Sequence, residues 1–191
     1  MQIANSTHRY GAVAMLLHWA IVVLVIIQFV LAFQAAGLET SLERLQVMAR
    51  HKSFGMTIFM LMILRLGWRF ASPPPPLPES MAPWEKTLAR VSHRLLYTLL
   101  LAMPVAGWVT SNARDLSVSW FGIFTWPDLV AGSERLAEIA GTIHGAFAWL
   151  LLAVLTLHVA GALRHHFLKK DAVLLRMLPV TQTRIKEADR R

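Results

Sequence analysis

The chain has 191 residues, of which 55% are hydrophobic and 16% charged, with a formal charge of +8. A soluble domain of this size cannot bury that much apolar surface, so the composition points to a protein embedded in membrane lipid. The absence of cysteine excludes disulfides, cysteine-ligated iron–sulfur clusters and thiol catalysis, and the basic residues fall beside apolar stretches, which favours a role in membrane topology over nucleic-acid binding.

Four stretches are apolar enough to cross the ~30 Å of a bilayer core. The first, residues 11–34, carries His18. It is too long for the apolar core of a secretory leader, and no small-x-small site follows it, so it is expected to remain as a helix. The second, residues 53–70, is preceded by Arg50, His51 and Lys52 and ends around Arg65 and Arg69. Pro73-Pro74-Pro75-Pro76-Leu77-Pro78 then reads as a stiff polyproline spacer. Residues 81–92 read as a short amphipathic segment at the interface, anchored by Trp84.

The third stretch, residues 95–110, opens just after His93 and contains Pro104, which predicts a kink. A loop with Asp115 and Asp128 follows, then a second interfacial segment over 133–140 containing Glu134 and Glu138. The fourth stretch, residues 143–163, carries both His144 and His158 and runs into Arg164, His165, His166, Lys169 and Lys170. No internal repeat is present. The expected fold is all-α: residues 1–191 as one domain, an integral membrane bundle of four helices.

The loop charges are lopsided. With a cytoplasmic N-terminus, Arg9, then Arg65, Arg69, Lys86, Arg90 and Arg94, then eight Lys or Arg from Arg164 onward all lie inside. Only Arg44, Arg50, Lys52, Arg114 and Arg135 lie outside. The positive-inside rule therefore places both termini of this multi-pass membrane protein in the cytoplasm.

The histidines fall at matching depths. His144 and His158 are fourteen residues apart, about 21 Å along a helix, and fourteen steps of ~100° return nearly to the same face. Helix direction pairs His18 with His158 on the inner side and His51 with His144 on the outer side. Ionisable groups at membrane depth are costly and mark functional sites. Zinc would gather four ligands around one ion, whereas two imidazoles on facing helices suit the two axial positions of a haem iron. The pattern therefore points to two stacked haems, with His18, His158, His51 and His144 as the iron ligands. His93 competes with His18 for the partnership with His158, and otherwise suits a propionate or a quinone oxygen. Gly55, Gly141, Gly145 and Gly161 either let a flat macrocycle lie close or reflect tight helix packing. His165 and His166 belong either to a basic topogenic cluster or to a quinone site with a proton supply. Arg65, Arg69, Lys169 and Lys170 are the candidate quinone contacts. Arg50 and Lys52 either steer an anion toward the outer haem or neutralise its propionates, and the acidic residues of the second outer loop oppose such steering.

The motifs resemble the bacterial cytochrome b561 family. They are Leu17-His18-Trp19, His51 with Gly55, Ser92-His93 with Tyr97, Pro104-Val105-Ala106-Gly107 and Ile143-His144-Gly145. The run from His158 through His165-His166-Phe167 and Lys170-Asp171 to Leu174-Leu175-Arg176-Met177-Leu178-Pro179 is the most specific part. The resemblance implies two b-type haems with bis-histidine ligation and ubiquinone as partner. It further implies an oxidoreductase that oxidises superoxide to O₂ on the periplasmic side and reduces ubiquinone. Cytochrome b subunits of hydrogenases and formate dehydrogenases share the two-histidine fourth helix, so an electron-carrying subunit fed by such a partner is the alternative. A six-coordinate iron has no open position, so either activity is outer-sphere electron transfer. A non-redox transporter with histidines along a polar path is the third reading.

Overall fold

The computed structural model describes residues 2–79 and 81–179. Arg184, Lys186, Arg190 and Arg191, counted above among the cytoplasmic cations, lie outside the described residues. The chain is an all-α, four-helix membrane bundle. Helix α1 spans Ala12–Gly37, α2 Leu42–Ala71, α3 Pro83–Ala113 and α4 Glu134–Arg164. Each is long and apolar enough to cross a membrane. Between α3 and α4 a small antiparallel hairpin pairs β1 (Ser119–Trp120) with β2 (Phe124–Thr125). After α4 come a π turn, His165–Lys169, and a 3₁₀ turn, Leu175–Met177.

The helices outrun the apolar stretches expected from hydropathy, because a helix needs lipid only over its middle. Helix α2 starts at Leu42 rather than near residue 53: Val47 in its first turns is buried against Leu31 and Ala35. His51 is therefore inside a helix and not at its start. The segment 81–92 is not a separate interfacial piece. Pro83 opens α3, and the Glu85 carboxylate accepts the Ala82 N–H at 2.9 Å, the reciprocal half of a capping box. His93 thus lies well within α3. The segment 133–140 likewise merges into α4, with Ser133 Oγ accepting the Leu136 N–H at 3.4 Å. Helix α3 continues unbroken through Pro104, a tolerance common in membrane helices.

The chain divides into two compact units, and every helix contributes to both. The first comprises residues 1–19, 64–97 and 152–191. Here the Asn5 side chain donates to Ser72 O at 2.7 Å and accepts the Gly11 N–H at 2.8 Å. Arg176 Nη1 donates to Pro76 O at 2.9 Å, which fixes the polyproline segment, and Trp19 Nε1 donates to Met177 O at 2.9 Å.

The second unit comprises residues 20–63 and 98–151. Its core packs Met56, Trp108 and Val118 against Trp120 and Trp126. The hairpin is stapled to α2: Ser53 Oγ accepts the Phe121 N–H at 3.0 Å and contacts Ser119 O at 3.1 Å, while Trp120 Nε1 donates to Thr57 Oγ1 at 3.0 Å. The turn holds Phe121 and Gly122 at φ of 51° and 74°, a conformation that glycine adopts freely.

Candidate functional site

The second unit contains a cavity of about 780 Å³, within the range of a cofactor pocket. His51 from α2 and His144 from α4 both line it, with ring centroids 6.2 Å apart and ring planes at 72°. His144 Nδ1–H donates to the Met103 carbonyl oxygen at 3.0 Å, which leaves Nε2 as the nitrogen a metal could take. His51 is anchored through its backbone, whose carbonyl accepts Gln28 Nε2–H at 3.0 Å, while its Nδ1 is buried without a hydrogen-bond partner among the described residues. An imidazole nitrogen left unsatisfied at membrane depth is a group waiting for a ligand. Gly107 faces His144: a Cβ there would lie 3.1 Å from its ring.

Three cations border the cavity, Arg44, Lys52 and Arg114. Lys52 Nζ is held in place by donating to Ser117 O at 2.9 Å and Ser111 Oγ at 3.1 Å. Arg50 is exposed on the adjoining stretch of α2 and does not line the cavity. Of the acidic residues, Asp128 accepts Asn112 Nδ2–H at 2.5 Å and Glu134 opens α4.

The first unit brings three imidazoles together. His18 and His158 have ring centroids 6.4 Å apart at 80°, and His93 lies 5.2 Å from His158. Arg65 donates from Nη1 to the Ala14 carbonyl at 2.7 Å, one helical turn before His18. Arg65 and Arg69 both stack on Tyr97, at 6.0 and 5.5 Å. Tyr10 joins this group. Burial raises its phenol pKa above the ordinary value, against the pull of Arg69 and Arg65.

The segment after α4 is built around two buried carboxylates that hydropathy and periodicity leave silent. Glu85 accepts from Arg164 at 2.5 Å and from Lys169 at 2.6 Å, so the Lys169 ammonium is committed to an ion pair. Asp171 accepts from His165 Nδ1–H at 2.5 Å. His166 packs on Phe167 with centroids 4.8 Å apart, and Lys170 is exposed.

The rings can be tested against an iron. Two metal–imidazole bonds of about 2 Å, plus roughly 1 Å from each ring nitrogen to its ring centre, put two rings sharing one iron about 6 Å apart. His51–His144 and His18–His158 meet that spacing, while His93–His158 is too close to admit an iron. With the unpartnered His51 Nδ1 and the glycine cradle at Gly107, the residues present fit haem.

Four membrane-length helices with histidines facing one another across them are the framework of a membrane cytochrome b. A family model described as "Prokaryotic cytochrome b561" matches residues 9–180. The chain is 35% identical over 180 residues to cytochrome b561 homolog 2 of Escherichia coli (strain K12), covering 93% of this chain and 95% of that protein. It is 30% identical over 171 residues to the probable superoxide oxidase CybB of Yersinia pestis, covering 90% of this chain and 96% of that protein. The chain belongs to the prokaryotic cytochrome b561 family. It is therefore an electron-transfer protein of the inner membrane that uses b-type haem.

Proposed function

We propose that this chain carries single electrons across the membrane through two b-type haems, taking them from superoxide on the periplasmic side and delivering them to ubiquinone. The observation that carries this reading is the pair of iron-sized gaps between imidazoles, 6.2 Å for His51–His144 and 6.4 Å for His18–His158. Each bound haem would supply a reversible one-electron change at its iron. His51 and His144 would hold one, His18 and His158 the other, with His93 packed beside His158 and not ligating.

The rest of the assignment concerns fixed charge and topology. Arg44, Lys52 and Arg114 border the cavity beside His51 and His144, where cations raise the local concentration of a small anion such as superoxide and also stabilise propionates. Arg50 adds to this field from the surface. In the first unit, Arg65, Arg69, His93, His165, His166 and Lys170 supply the cations and proton carriers that a quinone site needs. The relative named as a probable superoxide oxidase supports superoxide as the donor. The excess of Lys and Arg beside the first unit supports cytoplasmic termini, which makes the cavity unit periplasmic. Residues 1–191 act as one domain, since all four helices run through both units.

A pyridine haemochrome assay on purified protein tests the cofactor count, with two haems b per chain expected. Superoxide added anaerobically should then reduce the Soret band, and a following addition of ubiquinone should reoxidise it. A colourless protein, or haems indifferent to superoxide, overturns the reading. Reduction only in the presence of a co-purifying dehydrogenase would select the electron-carrying subunit instead.

A further inference from the structure

Helix α4 does not simply stop at Arg164. It widens into the π turn His165–Lys169, which closes on Lys170 in the left-handed region at φ 56° and ψ 29°. Lysine is strained there, and wide turns of this kind recur at functional sites. The turn brings Asp171 back onto His165. The Asp171 N–H donates to His165 O at 3.2 Å, and its Oδ2 accepts His165 Nδ1–H at 2.5 Å. Its other oxygen accepts the Val173 N–H at 3.0 Å. His165 is 6% exposed and Asp171 9%. The flanking cations Arg164 and Lys169 are held by Glu85.

Position gives the pair a use. His165 follows His158 by seven residues, which is about 10 Å along the helix and within ~20° of the same face. A ring buried on a carboxylate thus stands on the His158 stripe, at the end of α4 where the chain leaves the membrane span.

We propose that His165 and Asp171 form a proton-transfer pair for quinone reduction, with His165 donating and Asp171 as its positioning residue. This rests on the quinone reading above. The carboxylate fixes a hydrogen on Nδ1, so Nε2 is the nitrogen that gains and loses the working proton. The Nε2–H bond breaks as an O–H bond forms on a quinone oxygen. The bonding electrons stay on Nε2, which then takes a proton from cytoplasmic water. Over one turnover two superoxides are oxidised to two O₂, and one quinone takes two electrons and two protons to become quinol. Each proton comes through the pair.

The test uses the haem-loaded full chain in lipid nanodiscs. Its haems are reduced with one equivalent of dithionite and mixed with a short-chain ubiquinone while the Soret band reports reoxidation. In Asp171→Asn reoxidation should slow about a hundredfold, with haem spectra and potentials unchanged, and Asp171→Glu should recover part of the rate. The native chain should react more slowly in D₂O. Native speed in Asp171→Asn overturns the proposal. Should that variant lose haem, the native chain decides: equal rates in H₂O and D₂O overturn the proposal. Native haems that ubiquinone does not oxidise at all overturn the quinone reading itself, a failure distinguishable from that of the pair.

Discussion

His144 on α4 donates its Nδ1–H to the Met103 carbonyl oxygen on α3 across 3.0 Å. That bond fixes the tautomer and the ring orientation together, and such partners raise the basicity of an imidazole ligand. Its opposite number, His51, has no such bond and is set by its helix and by Gln28 on its carbonyl. Replacing His144 or His51 with Ala should therefore lower the haem content from two per chain to one. A pyridine haemochrome count against protein mass reads this directly.

Gly107 tests the same pair from the side. A methyl group there would sit 3.1 Å from the His144 ring, so the ring must give way by a few tenths of an ångström. Gly107→Ala should keep both haems but alter the spectrum and midpoint of one. Gly107→Val, with two more methyls, should lose that haem. Unaltered spectra in both variants would show that the ring is not confined there.

The three imidazoles of the other unit separate by spacing. His18 and His158 stand at an iron's width, whereas His93 is too near His158 for a metal between them. His93→Ala should retain both haems, and His18→Ala should lose one. The opposite result would exchange their roles.

This choice shows what was legible in the chain. Fourteen residues between His144 and His158 fix a shared face and two depths, so the pairs follow from helix geometry alone. The sequence favours His18 over His93 as the partner of His158, because His18 sits within its apolar run, and packing supplies the ring spacings that separate the two. Helix ends were misplaced for a related reason. Hydropathy marks where lipid ends, while Val47 and the Glu85 cap carry α2 and α3 further. Asp171 was invisible as a partner of His165, since a left-handed Lys170 and a widened turn have no periodic signature. Gly107 closes the Pro104-Val105-Ala106-Gly107 motif, but nothing in sequence spacing says that it faces His144.

Glu85 closes the first unit by holding Arg164 and Lys169 with a carboxylate side chain only 4% exposed. The cations are 45% and 30% exposed, so solvent screens part of the attraction. Losing a buried charge partner still leaves two cations and a helix-start N–H less well satisfied. Glu85→Gln should destabilise the protein by about 2 kcal/mol, read as a lowered melting temperature of the haem-loaded protein in detergent. The haem count at low temperature should not change.

Arg65 carries a consequence for redox balance. Its guanidinium is pinned to the Ala14 carbonyl, the oxygen that also accepts the His18 N–H in a regular helix. If His18 and His158 hold an iron as proposed, adding an electron to it lowers the positive charge of the site, so a fixed cation favours the reduced form. A unit charge some ~8 Å away in a medium of effective dielectric ~20 is worth roughly 2 kcal/mol before screening. Arg65→Gln should thus lower the midpoint potential of one haem by about 60 mV, a tenfold change for one electron. Arg65→Lys keeps the charge and should keep most of the potential. Spectroelectrochemical titration resolves the two haems, and an equal shift in both, or none, would remove Arg65 from this role.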